Sequence, residues 1–300
     1  MTRSKLARTL VAAFAALSVV LLAGCSIGPL ELPDVDLSGI LGALKPTSVA
    51  EAREARQAEV SQVVSDSSLV TAGTLTVGIL SSENAPFAYT TDDGTLVGID
   101  AEIAYALADE LGILSVEFVT VSSADEGLAS CDVVLGVSSD ETSATVVGNY
   151  AQSAIAVYTT STVESVPISL EDLAGATVGV QSGSVSEDAL TQLAVSVTVS
   201  SYTNVNEAFE ALVAGEVSYV VCDAYAGAYL ACSYDGVSYA GTISSVDAVG
   251  VAVSSDATEL LTAVTTAMDQ IDSNGVAEVI RSRWVGLDEA VTSDDLLTGI

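Results

Sequence analysis

The alternation of short apolar runs with helical segments, which begins near Leu69, is the feature that most limits how this chain can fold. The apolar runs have the length and composition of buried strands: LTVGIL (75–80), SVEFVTV (115–121), CDVVLGV (131–137), TVGVQ (177–181), SVTVSSY (196–202) and VSYVVCD (217–223). The helical segments between them include DAEIAYALADELG (100–112), a segment from about Val185, and NVNEAFEALVAG (204–215). Strands that alternate with helices predict an α/β protein with largely parallel sheets.

The same alternation predicts how the domain is divided and where a ligand binds. Roughly 230 residues from Leu69 onward are many for one such unit and fit two lobes. In open α/β sheets, ligands bind beyond the carboxyl ends of the strands. That rule indicates the loops after Leu80, Val137, Gln181 and Asp223. In the helix over 100–112 we expect Asp100 to be the N-cap and Gly112 to end the helix.

Residues 1–24 have the pattern of a signal peptide. Three basic residues lie among the first nine, and an apolar stretch runs from Leu10 to Gly24. A retained transmembrane helix is the alternative, but it needs about 20 apolar residues, and this stretch is shorter. LAGC (22–25) resembles the bacterial lipobox, which implies that Cys25 is lipidated and becomes the mature N-terminus; an ordinary signal-peptidase site is the alternative. Two acyl chains would anchor the protein outside the cytoplasmic membrane.

Residues 25–68 are predicted to be the lipid anchor and a tether. The stretch 26–48 mixes Pro, Gly and isolated apolar residues without a sustained period. One short helix is predicted after it, because Ser48 and Glu51 have capping-box spacing. Such a tether would hold the folded domain away from the bilayer.

The charge distribution restricts both partners and chemistry. The chain has 40 Asp and Glu against 8 Lys and Arg, no His, and a formal net charge of −32. We expect no nucleic acid or anionic lipid as a partner, because both require a basic surface. Between Arg56 and Arg281, a span of 224 residues, there is no cationic side chain at pH 7. Because the chain has no His, a serine triad and a thiol–imidazole pair are excluded, and because it has no Lys after Lys45, so is a Schiff-base lysine.

Four segments occur in a recognisable order: GTLTVGIL…ALADELG (73–112), SLEDLAGATVGVQSGS (169–184), NEAFEALVAGEVSYVVCD (206–223) and VGVAVSSDATELL…IRSRWVG (249–286). In these segments the chain resembles the family 3 extracellular solute-binding proteins, the amino-acid-type receptors of ABC importers. The resemblance covers roughly residues 70–287. It implies a type II periplasmic-binding-protein-like α/β fold, in which two lobes joined by two crossings close over a solute.

Mapped onto this chain, the resemblance implies a solute-binding domain over 69–290. The first lobe would comprise residues 69–156 and 249–290, and the second lobe residues 157–248, with a tail over 291–300. The crossings would be SAIAVYTT (153–160) and SSVDAVG (244–250). Closure about these crossings would present a shape that an ABC permease recognises. We expect a monomer.

In the first lobe, the resemblance places ligand contacts in the loop over 81–89 and around Ser138. Phe87 also lies in that loop, where core packing is the simpler explanation. Ser138 matches a residue that contacts the ligand's amino or carboxylate group. The residues expected to line the first lobe's half of the cleft are Glu83, Asn84, Tyr89, Ser138, Ser139 and Asp140.

In the second lobe, Ser182, Gly183 and Ser184 match a turn that offers backbone amides and a hydroxyl to a carboxylate. Amides at a helix start also suit an anion on physical grounds. Asp223 matches the acid that accepts the ligand's ammonium group in a charge-assisted hydrogen bond. An N-cap is the alternative role for Asp223, and one aspartate can perform both.

One part of the family pattern is missing. In the family, the loop that corresponds to residues 136–144 carries an arginine that clamps the ligand's α-carboxylate. The place of this arginine falls at or near Ser143. Serine hydroxyls and amides could hold the carboxylate instead, or a Ca²⁺ ion on Asp140 and Glu141 could replace the guanidinium. The third explanation, which we favour, is a solute without an important anionic end. It predicts an amine, a basic or neutral amino acid or a small peptide, and no cofactor or metal.

Two further classes remain as alternatives to a receptor. One is a structural or adhesive lipoprotein that has lost its ligand, and the other is a dehydratase-like enzyme that uses a carboxylate pair on the same fold. Once Cys25 is lipidated, three cysteines remain. We expect no disulfide, because Cys222 and Cys232 flank a helix and Cys131 opens an apolar strand.

Overall fold

The computed structural model describes residues 61–160, 169–286 and 291–297. The predicted signal peptide, Cys25 and nearly all of the predicted tether lie outside these residues. Within them, no helix combines the length and the hydropathy that crossing a membrane requires. Cys131 and Cys222 are buried, Cys232 is exposed, and all three are free thiols.

The strands are numbered here in chain order. They are β1 (Thr74–Ile79), β2 (Glu83–Asn84), β3 (Ala88–Thr90), β4 (Leu96–Val97), β5 (Ser115–Thr120), β6 (Val133–Ser138), β7 (Thr145–Ser153), β8 (Ile155–Thr159), β9 (Thr177–Gln181), β10 (Thr198–Tyr202), β11 (Tyr219–Asp223), β12 (Ser238–Thr242) and β13 (Asp247–Val253).

The α-helices are α1 (Ile99–Leu111), α2 (Ala124–Gly127), α3 (Val185–Gln192), α4 (Val205–Ala214), α5 (Ala224–Ala231), α6 (Thr258–Ser273) and α7 (Val276–Val285). Short 3₁₀ helices cover Asp66–Ser68, Leu170–Leu173 and Ser293–Asp295.

Ten strands form two five-stranded sheets of the same design, one in each lobe. Their orders are β5-β1-β6-β13-β7 and β10-β9-β11-β8-β12, and β2, β3 and β4 form a small third sheet. In each large sheet one strand runs against the others, β13 in the first and β8 in the second. Each is the strand that the chain enters directly after crossing between lobes, at Ala154 and again after Thr242. The predicted two-lobe α/β fold with two crossings is confirmed.

Helix α1 shows how the sequence pattern is realised and where it misleads. Ile103, Leu107 and Leu111 are fully buried on one face, and the helix ends at Gly112 with φ 69°. The prediction that Asp100 caps this helix is wrong, because the helix begins at Ile99 and the N-cap residue is Gly98.

The start of α1 is fixed by the preceding loop. The amides of Ile99 and Asp100 donate to the carbonyls of Pro86 and Phe87, each at 2.9 Å. A Cβ at Gly98, whose φ is 129°, would lie 2.2 Å from the Phe87 carbonyl oxygen. Only glycine permits this approach, and the approach places Asp100 inside the first lobe.

Both ends of the described domain pack against it. Val64, in the segment predicted to be a tether, is 2% exposed, and the Ser65 amide donates to Glu259 Oε1 at 2.9 Å. Leu297, in the segment predicted to be a tail, is 3% exposed and packs in the core of the second lobe. Its amide donates to the Thr242 carbonyl at 2.8 Å. The packed domain therefore begins before Leu69 and includes residues 291–297.

Candidate functional site

A cavity of about 290 Å³ lies between the lobes, where the parallel strands β1, β6 and β11 end. The first lobe and the first crossing supply most of its wall, and the second lobe supplies Asp223. The side chains or backbone that line it belong to Leu80, Ser81, Asn84, Phe87, Asp100, Gly136, Ser138, Glu141, Ser153, Asp223 and Val249. The position agrees with the rule that ligands bind beyond the carboxyl ends of the strands.

Asp100 is a buried carboxylate on the first-lobe side of the cavity. Its residue is 5% exposed, and Oδ1 accepts a hydrogen bond of 2.7 Å from the Tyr150 hydroxyl. That hydroxyl in turn accepts from the Gly136 amide at 2.7 Å. A Cβ at Gly136 would lie 3.3 Å from Asp100 Oδ2. Burial raises the pKa of Asp100 to about 6, opposed by the Tyr150 hydrogen bond.

Asp223 occupies the second-lobe side of the cavity. It is the N-cap of α5, and its Oδ1 accepts from the amides of Tyr225 at 3.0 Å and Ala226 at 2.9 Å. Burial raises the pKa of Asp223, although these amide hydrogen bonds favour the charged form. Both roles left open by the sequence are thus compatible, since Oδ1 caps the helix and Oδ2 is left for a ligand.

Ser138 and Glu141 form a small loop on the first-lobe wall. Ser138, the last residue of β6, is 8% exposed. Its amide donates to Glu141 Oε2 at 3.1 Å, and the Glu141 amide donates back to the Ser138 carbonyl at 3.1 Å. Asp140 is exposed. No group of three or more His, Cys, Asp or Glu in the described residues is arranged to hold a metal ion.

The turn over 182–184, at the carboxyl end of β9, has its amides occupied by the protein itself. The Gly183 amide donates to Glu187 Oε2 at 2.7 Å, and the Ser182 amide donates to the Tyr202 carbonyl at 2.8 Å. Ser184 is the N-cap of α3 and accepts from the Glu187 amide at 3.2 Å. Hydrogen bonds from Ser201 and Gly183 lower the pKa of Glu187.

The region that lacks the family's arginine is also occupied. The Ser143 amide donates to Asp125 Oδ1 at 3.1 Å, and the Ser143 hydroxyl donates to the same oxygen at 3.2 Å. Thr142 donates to it as well, at 2.5 Å. These hydrogen bonds lower the pKa of Asp125, the Thr142 bond most strongly.

Of the ten residues predicted to contact a ligand, Asn84, Ser138 and Asp223 line the cavity. Glu83 and Tyr89 pair across β2 and β3 outside it, and the Tyr89 ring packs edge-on against Trp284 at 6.0 Å. The other five also lie outside the cavity wall: Ser139, Asp140, Ser182, Gly183 and Ser184.

Phe87 packs against another aromatic ring and also lies at the cavity wall. It lines the cavity, and its ring stacks on Tyr225 of the second lobe, with centroids 5.5 Å apart and planes within 8°. The Tyr225 hydroxyl donates to Gln152 Oε1 of the first lobe at 2.6 Å. The two lobes are therefore in direct contact beside the crossing.

No cationic side chain of the described residues lines the cavity. The described residues include two arginines, both on α7. Arg283 forms an ion pair with Glu102 at 3.2 Å, and Arg281 is 8% exposed within the α7 packing. The cavity wall therefore contains Asp100, Asp223 and Glu141 and no cationic side chain of the described residues, which favours a negative potential there.

Sequence reasoning missed Asp100 and Glu187 as residues of interest and treated Glu141 only as a possible metal ligand. Asp100 was mistaken for a helix cap because its position before a run of helix formers is typical of one. The spacings Ser138–Glu141 and Gly183–Glu187 are those at which a carboxylate reaches back to a backbone amide, and that signal could have been found.

Comparisons with known proteins agree on one family. The family described as bacterial extracellular solute-binding proteins, family 3, matches residues 75–287. The L-cystine-binding protein TcyJ of Escherichia coli (strain K12) is 29% identical over 226 residues, which are 72% of this chain and 84% of TcyJ.

Solved structures share the fold. An ancestral cationic amino acid solute-binding protein has a TM-score of 0.61 at 25% identity, over 71% of this chain and 96% of its own. The L-cystine solute receptor of Neisseria gonorrhoeae, in an unliganded open conformation, has a TM-score of 0.60 at 21% identity, over 73% and 95%.

The cleft between two α/β lobes defines the class as a solute-binding receptor of the type II periplasmic-binding-protein-like fold. The chain belongs to the bacterial extracellular solute-binding proteins, family 3. The predictions of family and fold class are both confirmed, and family membership places the protein outside the cytoplasm.

Proposed function

We propose that this chain is the lipid-anchored receptor of an ABC importer and binds an amine, a basic or neutral amino acid or a small peptide between its lobes. The observation that carries the proposal is the cavity between the lobes, lined by Asp100, Glu141 and Asp223 and by no cationic side chain of the described residues. A receptor for an acidic solute would need a compensating cation at this place.

The binding chemistry follows from the two aspartates that line the cavity. An ammonium group on Asp223 Oδ2 would form a charge-assisted hydrogen bond worth about 1.5–3 kcal/mol. Asp100 offers a second acceptor on the opposite side of the cavity. A dicarboxylate would meet uncompensated like charge, which costs several kcal/mol at an interface.

The relatives support a small amino-acid-like solute. The ancestral structural neighbour is described as binding cationic amino acids, and the E. coli relative as binding L-cystine. A cationic solute agrees best with the carboxylates of this cavity. The partners in this proposal are an ABC permease and the membrane through a lipid on Cys25, and the receptor acts as a monomer without a cofactor.

A thermal-melting panel tests the ligand class. At a 100-fold excess over its dissociation constant, the right solute should add about 2.7 kcal/mol of stability. Amines, basic and neutral amino acids and small peptides should stabilise the protein, more strongly at low ionic strength. The panel is run with and without chelator, and the recovered solute should be chemically unchanged. Stabilisation by glutamate or aspartate in chelator, with none by the amines, contradicts the proposal.

The anchor is tested separately. Cys25→Ser should leave the protein unacylated and move it from the membrane fraction to the soluble fraction, because the signal-peptide motif then lacks its acyl acceptor. Mass spectrometry of the mature N-terminus checks the modification. Recovery of the unaltered protein in the soluble fraction of intact cells is the contrary result.

A further inference from the structure

The backbone amide of Ser138, at the cavity wall, is occupied by a carboxylate of the chain itself. In the first lobe, the buried Ser138 amide at the cavity wall donates to Glu141 Oε2 at 3.1 Å. Glu141 itself lines the cavity. An incoming carboxylate would have to displace this side chain and lie beside its charge.

The second lobe repeats the arrangement. The Gly183 amide, at the carboxyl end of β9, donates to Glu187 Oε2 at 2.7 Å. Glu187 is held there by a second hydrogen bond from the Ser201 hydroxyl. Strand β9 is the parallel neighbour of β11, which ends at Asp223, so this turn and Asp223 share one edge of the sheet.

The donors near Ser143 are occupied in the same way. The Ser143 amide and hydroxyl both donate to Asp125 Oδ1. Ser143 and Asp125 lie outside the cavity wall, so this region adds no cationic side chain to the cavity.

The acceptors in the cavity show the opposite pattern. The protein's hydrogen bonds to Asp100 and Asp223 go to Oδ1 in both residues. Their Oδ2 atoms remain for the donors of a ligand. Asp100 is 95% buried, since its exposed fraction is 5%, and still lines the cavity. A buried carboxylate of this kind is costly without a cationic partner.

We infer that the receptor selects amines that carry no carboxylate, and that Glu141 at the cavity wall, with Glu187 at the neighbouring turn of the second lobe, enforces this choice by occupying backbone amides that could otherwise bind a ligand carboxylate. The inference rests on the proposed function and narrows the class of solute to amines that have no carboxylate group. A cavity of about 290 Å³ is at the small end of ligand sites, so a short amine with one or two cationic groups fits the chemistry.

Matched pairs of probes test the inference, because the members of each pair differ by one carboxylate. The pairs are agmatine and arginine, cadaverine and lysine, and putrescine and ornithine. Calorimetry on the full folded domain should show at least one pair in which the amine binds about tenfold or more tightly than its amino acid, as repulsion between uncompensated like charges requires.

Variants then identify the residues responsible. In Glu141→Gln and Glu187→Gln the side chain can still accept from the amide, but the charge is removed. Each variant should reduce the ratio of the amino acid's dissociation constant to that of the amine about fivefold, mainly because the amino acid binds more tightly. Glu259→Gln is the control, because Glu259 also accepts from a backbone amide, that of Ser65 at 2.9 Å. Glu259 follows β13 at the edge of the first sheet opposite the cavity, so this variant should leave the ratio unchanged.

The outcomes separate the inference from the function on which it rests. Arginine, lysine or ornithine binding as tightly as its amine overturns the inference and leaves the receptor intact. An unchanged ratio in both glutamine variants, with melting temperatures like that of the unaltered protein, overturns the roles of Glu141 and Glu187. If no member of any pair binds and no solute in the thermal-melting panel stabilises the protein, the proposed function is wrong and the inference fails with it.

Discussion

The two edges of the first lobe's sheet each hold a buried aspartate, and the two are supported differently. At the amino edge, Asp132 precedes β6 and accepts from two backbone amides, Val70 to Oδ1 and Thr76 to Oδ2, both at 2.7 Å. At the carboxyl edge, Asp100 accepts from the hydroxyl of Tyr150. Asp132 and Asp100 are 4% and 5% exposed, so burial alone does not distinguish them.

The difference indicates which carboxylate serves the fold and which serves a ligand. Both oxygens of Asp132 are used to join the start of the domain to β1. Asp100 accepts the Tyr150 hydrogen bond with one oxygen, and the residue also lines a cavity. Burial raises the pKa of both aspartates, and to about 6 for Asp100. A polar group whose partners are all internal stabilises the fold, whereas one that lacks a partner awaits a ligand.

The largest expected effect is the loss of folding stability when the Asp132 side chain is removed. Asp132→Ala leaves two amides without an acceptor, at about 1–3 kcal/mol each, so the free energy of unfolding should fall by about 2–6 kcal/mol. Urea denaturation measures it, with Asp140→Ala as the exposed control. Ligand affinity of the folded fraction should not change. A loss below about 1 kcal/mol would show that the two hydrogen bonds contribute little net stability.

The second effect concerns the carboxylate across the cavity from Asp100. Asp223→Asn should weaken binding of the best amine in the panel by about 1.5–3 kcal/mol, or roughly 10- to 150-fold. Stability should change little, because Asn is as good an N-cap as Asp. If calorimetry shows unaltered affinity, Asp223 is only the cap of α5 and its assignment to the site is wrong.

The third effect concerns Asp100, whose substitution should lower ligand affinity without lowering stability, the opposite of what is expected for Asp132. Asp100→Asn keeps an oxygen for the Tyr150 hydroxyl and removes a buried charge, so the ligand-free protein should be as stable as before or slightly more stable at pH 7.5. Affinity for a cationic amine should fall by up to about tenfold. Marked destabilisation with unchanged affinity would make Asp100 a structural residue like Asp132.

The smallest effect is the pH dependence. A carboxyl group with a pKa of about 6 is mostly ionised at pH 7.5 and about three-quarters protonated at pH 5.5, so amine affinity should fall roughly fourfold between these values. The raised pKa of Asp223 adds to the loss at lower pH. Stability of the ligand-free protein has the opposite trend. The contribution of Asp100 is fully present below its unfolded pKa and is lost as pH rises through about 6. Asp100→Asn should remove the contribution of Asp100 to the pH dependence of amine affinity and of stability. If both pH dependences are unchanged in this variant, the prediction is wrong.

Much of the fold is readable from local sequence. The predicted strand TVGVQ is β9 residue for residue, and the helix predicted over 204–215 is α4 with Asn204 and Gly215 at its ends. These elements depend on period, caps and glycine stops, which act over a few residues. The crossing strands β8 and β13 were not assigned as strands, because their pairing joins residues far apart in sequence.

The site was predictable only in part. Asn84, Ser138 and Asp223, predicted from the family resemblance to contact a ligand, line the cavity, and their contact with a ligand stays a prediction. Asp100 could not be placed, since its contact with Tyr150 joins residues 50 apart. Its burial depends on the approach of Gly98 to the Phe87 backbone.

The sequence by itself determined that this chain forms an α/β protein with 224 consecutive residues that contain no cation, because composition and short-range periodicity need no contacts to be read. The receptor class came from the family resemblance. Only the tertiary structure decided how the carboxylates are used. Glu141, Glu187 and Asp125 accept hydrogen bonds from nearby backbone amides, while Asp100 and Asp223 line the cavity from opposite lobes. The physical reason is that a carboxylate has the same charge in every sequence context, and the donors brought within about 3 Å of it determine whether it stabilises the fold or remains for a ligand.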